Sequence, residues 1–151
     1  MWKSFRSKII IARQLSFGEW LTLVEAWWAL FGFYPALRWF SFDRLKSLIR
    51  TNSSEKADPI RVLNVAKKLH KLVYLASRLH LLPMTCLPRA FTLRWMLGRR
   101  GIPAQLRIGI SKTATGILAH AWVDIDGETI GESEDIPERF KILSSVTFSV
   151  P

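Results

Sequence analysis

Gly101-Ile102-Pro103-Ala104-Gln105-Leu106-Arg107-Ile108-Gly109-Ile110 marks the point where the apolar residues change period. Before it they recur at helical spacing. After it they alternate, as in strands with one buried face. Ile117 to Ile125 alternates in the same way. Asp126-Gly127 supplies hairpin-turn residues, and Glu128 to Glu132 is predicted to return as a third strand. Asp135-Ile136-Pro137-Glu138 opens a short helix. Helices followed by a small antiparallel sheet make an α+β fold.

Upstream of the junction, Thr85 is placed to cap a helix that carries Cys86-Leu87-Pro88-Arg89-Ala90 and ends at Arg99-Arg100-Gly101. The helix before it begins at Asp58-Pro59, an N-cap followed by a proline that needs no N–H partner, and runs to about His80. Thr51 to Lys56 is polar and reads as a loop, and Ser41 is predicted to start a shorter helix. Ser16-Phe17-Gly18-Glu19 has the form of a capping box. The helix it opens is apolar nearly all round, through Trp20, Leu23, Trp27, Trp28 and Phe31, with Gly32 and Pro35 expected to end or kink it. Such a surface suggests burial on two sides or a membrane contact. Its interrupting Glu19, Glu25, Pro35 and Arg38 argue against a spanning helix. The chain therefore divides into an N-terminal apolar helical region, 1–57, read as a docking surface, and a core over 58–151.

The 151 residues suit one ordinary core, with 49% hydrophobic residues. The single cysteine cannot form an internal disulfide, which fits a reducing, cytoplasmic setting. The start is no secretory signal, because Arg13 interrupts its apolar stretch. The formal net charge is +10, with the acidic residues concentrated near the C-terminus. The basic part would attract an acidic peptide, anionic lipid or nucleic acid, and a solvated surface is the plain alternative. No glycine-rich phosphate loop and no paired metal-ligand spacing occurs, so neither a nucleotide, a metal nor another cofactor is expected.

Two residues carry the chemistry. A thiolate is a nucleophile, and the first turn of a helix stabilises negative charge through unpaired N–H groups. Cys86 stands there. His120, in Leu118-Ala119-His120-Ala121-Trp122-Val123, is the imidazole that would serve it as base and acid. Alternation places His120 on one face with Leu118, Trp122 and Asp124. A carboxylate should orient the ring, and Asp124, Asp126, Glu132 and Glu134 are the candidates. A strict two-residue turn puts Glu132 on the opposite face, whereas an extra residue or bulge brings it round. His70, within Lys67-Lys68-Leu69-His70-Lys71, reads as a surface residue, and His80 as a structural one. Trp27, Trp28 and Trp39 read as core.

Cys86-Leu87-Pro88-Arg89-Ala90, Leu97-Gly98-Arg99-Arg100-Gly101-Ile102-Pro103-Ala104, Leu106-Arg107-Ile108-Gly109 and Ala119-His120-Ala121-Trp122-Val123 occur together. In this combination the chain resembles the lasso-peptide leader peptidases, the stand-alone protease half of a split maturation protein with a transglutaminase-like fold. The resemblance implies Cys86 as nucleophile and His120 as base. The family's third member is an aspartate, and Glu132 stands at the matching position. The implied substrate is a ribosomally made precursor peptide. The implied partners are a small leader-binding protein, for which this chain leaves no room, and an ATP-using lasso cyclase. Two other readings stay open. One is an acyl transferase on the same scaffold. The other is a non-catalytic basic module for membrane or nucleic acid.

Overall fold

The computed structural model describes residues 15–39, 58–114, 116–133 and 135–146, with the side chains of 144–146 left aside. The helix expected from Ser41, the loop at 51–56, Arg13 and Glu134 lie outside them. The element order is α1 (Phe17–Trp39), α2 (Pro59–Leu79), α3 (Cys86–Arg99), β1 (Gln105–Thr113), β2 (Gly116–Ile125), β3 (Glu128–Thr129), α4 (Ile136–Arg139) and β4 (Lys141–Val146). Helices precede an antiparallel sheet of order β3-β2-β1-β4, so the architecture is α+β.

The capping box closes reciprocally. Ser16 N donates to Glu19 Oε2 at 2.7 Å, and Glu19 N donates to Ser16 Oγ at 3.4 Å. These bonds and Lys68 hold the Glu19 carboxyl down to about 2. The helix does not stop at Gly32 or Pro35 but continues to Trp39. A proline forfeits its own N–H bond and crowds the carbonyl four residues before it, and packing along the rest of the helix outweighs that cost. Leu23, Ala26 and Leu30 of α1 share one core with Ala66, Leu69 and Val73 of α2 and Phe91, Met96 and Leu97 of α3. Region 17–39 is thus built into the same core as 58–146. Glu25 pairs with Arg99 and Arg100 at 3.1 and 2.9 Å, and Lys68 with Glu19 at 3.0 Å. Such exposed pairs add little, so burial dominates. The tryptophan reading holds only for Trp27, which packs on the core. Trp28 and Trp39 are 62% and 79% exposed.

Asp58 caps α2 through its Oδ1, which accepts from Ile60 N at 3.1 Å. Thr85 occupies the N-cap of α3 but makes no side-chain cap bond. The expected strands appear, and the Asp126-Gly127 turn has φ of +49° and +88°. The third strand is shorter than expected, Glu128–Thr129 instead of 128–132. Ile130 N still bonds Val123 O at 2.9 Å, but Gly131, at φ +73°, turns the chain out of the ladder. Strand β4, unread in the sequence, pairs with β1 across a bulge at Ile108/Gly109.

The sheet has two differently covered faces. Leu106, Ile108, Ala121, Val123 and Ile125 pack against the helices. Trp122, Ile136 and Phe140 form a second cluster on the other side. Gly109 permits this second layer, because a Cβ there would lie 2.9 Å from Phe140 Cβ and 3.0 Å from the Trp122 ring.

Candidate active site

Cys86 begins α3, half-buried and packed against the helix-side core. Thr85 supplies no side-chain acceptor for the first-turn N–H groups beside Cys86. A narrow recess opens there between α2, α3 and β2, lined by His70, Tyr74, Cys86, Arg89, Ala121 and Glu132 among others. Arg89 Nε donates to Thr85 O at 3.2 Å, and its guanidinium lies 5.6 Å from the centre of the Tyr74 ring. A cation and a phenol ring thus flank the thiol.

His120 sits opposite Gly109 in the β1–β2 register. Its ring lies against Trp122 and Phe140, with centroids 6.1 and 5.4 Å away. This is the face expected from alternation, and it is turned away from the helices. Among the described residues no hydrogen bond reaches the Cys86 thiol, and His120 is not part of the recess lining. The structure therefore brings Cys86 and Glu132 to one recess and His120 to Glu132, but does not join thiol to imidazole.

Glu132 is the shared member. Its Oε1 stands 3.5 Å from His120 Nε2, within ion-pair range but long for a hydrogen bond. The β2–β3 turn is the strict two-residue form, pairing Ile125 with Glu128 and Asp124 with Thr129. Glu132 reaches the ring because the ladder stops and Gly131 redirects the chain past the edge of β2. Asp124 is otherwise engaged. Its Oδ2 accepts from Arg107 Nε at 3.0 Å and its Oδ1 from Thr129 Oγ1 at 3.0 Å, in a buried setting. Asp126 sits in the turn with positive φ, lining an open groove that continues from the recess.

His70 departs from the sequence expectation. It is not a surface residue but half-buried, and it lines both the recess and the groove. Burial lowers its pKa below 6.5, against an upward pull from Glu132, and Arg89 lowers it further. No local pattern announces this, because the covering residues lie some sixty positions away in the chain. His80 is structural, as read. Its ring stacks on Trp27 at 4.8 Å, and its Nδ1 accepts from Leu82 N at 3.1 Å.

Among the described residues no helix is long and apolar enough to cross a membrane. A family model described as the transglutaminase-like superfamily matches residues 27–145, most of the chain. No curated protein and no solved structure matches it.

Proposed function

The chain belongs to the transglutaminase-like superfamily, whose members are typically cysteine proteases or acyltransferases, and from this we propose that it is the peptidase that removes the leader from a ribosomally made lasso-peptide precursor. The observation that carries the reading is the half-buried Cys86 thiol at an uncapped helix start, sharing a recess with the carboxylate that reaches His120. The motif resemblance from Thr85 to Glu132 supplies the substrate class.

In this reading Cys86 Sγ, as thiolate, attacks the scissile carbonyl carbon. First-turn N–H groups of α3 take up the charge on the carbonyl oxygen. His120, having accepted the thiol proton, returns it to the departing amine as the C–N bond breaks. The leader remains as a thioester on Cys86. Water, deprotonated by His120, then releases the leader carboxylate and restores the thiol. Glu132 holds the imidazole. The chemistry requires the His120 ring to reach Sγ, a contact that catalytic pairs commonly tighten only with substrate bound. A leader-binding protein and an ATP-using cyclase are the proposed partners, and the apolar outer side of α1 their proposed docking side or a peripheral membrane contact. The proposed setting is cytoplasmic.

Incubation with a precursor and its leader-binding protein tests the reading by mass. Leader and core peptides that together exceed the precursor by one water are expected. Intact precursor would contradict it, and transfer of the leader acyl group to an added amine in preference to water would contradict it in favour of an acyl transferase.

A further inference from the structure

Gly131, immediately before Glu132, has φ +73°, and a Cβ built on it would run into Nδ1, Cγ and Cε1 of His70. The imidazole of His70 therefore occupies the space a side chain at 131 would fill. It lies under the backbone that leads into the carboxylate. The ring is itself held by Tyr74, one turn along α2, at 6.5 Å between centroids and nearly parallel. His70 and Glu132 line the same recess, and the same groove beyond it. On the far side, Glu132 reaches His120. The contacts run from α2 through Gly131 to the carboxylate and on to the strand-borne imidazole.

We propose that His70 is a positioning residue of the site, which fixes Glu132 at the edge of β2 by packing its ring against Gly131. The proposal rests on the reading of Glu132 as the partner of His120. The segment leaving this two-residue strand is anchored by Ile130, buried in the core, and beyond that residue it has left the sheet. After Ile130 N bonds Val123 O, the ladder ends. A carboxylate on so short a tether keeps its place only if the backbone beneath it is wedged. The flat ring provides that wedge, and positive φ at 131 lets the chain close over it. The charged and titratable groups that line the recess and groove with the ring are Lys67, Lys71 and Tyr74 of α2, Cys86 and Arg89 of α3, and Asp126, Glu128 and Glu132. The raising influence of Glu132 on His70 agrees with their proximity.

The test uses the full chain in four forms: wild type, His70→Ala, Glu132→Gln and the double variant, with His70→Phe as a check on folding. His70→Ala should lower kcat roughly 10- to 100-fold with little change in KM, as expected for a small misplacement of a catalytic partner. His70→Phe, which keeps a flat ring against Gly131, should recover most of that loss. In a Glu132→Gln background, His70→Ala should cost little more, because the two act as one unit. Multiplicative losses in the double variant would overturn the proposal. A second measurement needs no substrate. The imidazole nitrogen resonances of both His70 and His120 should move in Glu132→Gln, and an unmoved His70 would overturn the proposal. Moved His70 and His120 signals in a chain that cuts no precursor would support the positioning and overturn the peptidase reading.

Discussion

Glu132 Oε1 stands 3.5 Å from His120 Nε2, while Asp124, on the same strand as that histidine, spends both oxygens on Arg107 and Thr129. The two acidic side chains therefore have different work. One stands within ion-pair range of an imidazole, and the other ties β1 to the hairpin.

Glu132→Gln should slow leader cleavage by about 100-fold or more, leaving residual activity from the thiol and the backbone donors. Asp124→Asn should slow it far less. Single-turnover rates on one precursor check the order, and a larger loss for Asp124→Asn would reverse the assignment.

Asp124→Ala should instead cost stability, about 1–2 kcal/mol, because it leaves the half-buried Arg107 and Thr129 donors without their acceptor. Urea unfolding measures this. A midpoint equal to that of wild type would show the Arg107–Asp124–Thr129 set to be dispensable.

Two glycines of the same hairpin region should respond differently. Gly127, at φ +88° with nothing within 4 Å of a built Cβ, meets only backbone strain on change to alanine. Gly131→Ala adds a collision with the His70 ring. Gly127→Ala should cost about 1 kcal/mol and Gly131→Ala clearly more. Thermal unfolding of the two variants should separate them, and equal losses would contradict the packing of His70 on Gly131.

The helices were legible because their signals are local. Ser16 and Glu19 cap α1, and Asp58 caps α2, through neighbours two or three positions away. The Asp126-Gly127 turn and the face of His120 follow from alternation in the same way. What the sequence hid depends on distant segments. Strand β4 exists because it pairs with β1, some thirty residues earlier, and Lys141-Ile142-Leu143-Ser144-Ser145-Val146 has no clean alternation to announce it. His70 looked exposed among lysines, but Tyr74 and the loop at Gly131 cover it. Whether Glu132 or Asp124 stands nearer the His120 ring depends on where β3 stops, which Gly131 sets and no period reveals.

Acid should weaken the fold through its buried histidines. Burial lowers the pKa of His70 and His80 below 6.5 in the folded chain. The unfolded chain therefore binds protons first as pH falls. This contribution is full above pH 6.5 and declines as pH drops through 6.5 toward the folded values. Urea midpoints should fall between pH 7.5 and 5, as expected for lowered histidine pKa values. In His70→Phe that fall should be shallower, and an unchanged slope would contradict a half-buried His70 whose pKa is lowered by burial.

The outer side of α1 presents Leu21, Val24, Trp28 and Phe31 to solvent. Trp28→Ser should cost about 1 kcal/mol, since the ring is mostly exposed but meets Trp27 and Phe31 edge-on. If α1 docks a partner or a membrane, the same change should improve solubility and weaken co-purification with the leader-binding protein or the cyclase, or flotation with vesicles. Retention of all three associations would remove α1 from the docking surface.

The central claim is that Cys86 carries the leader as a thioester. Acid-quenching the chain during turnover and mapping the intact adduct by mass tests it most directly. The account predicts a leader-acyl adduct on Cys86, absent from Cys86→Ala, with cleavage abolished in that folded variant. Cleavage at near-normal rate by folded Cys86→Ala, with no adduct on the wild-type thiol, would contradict it.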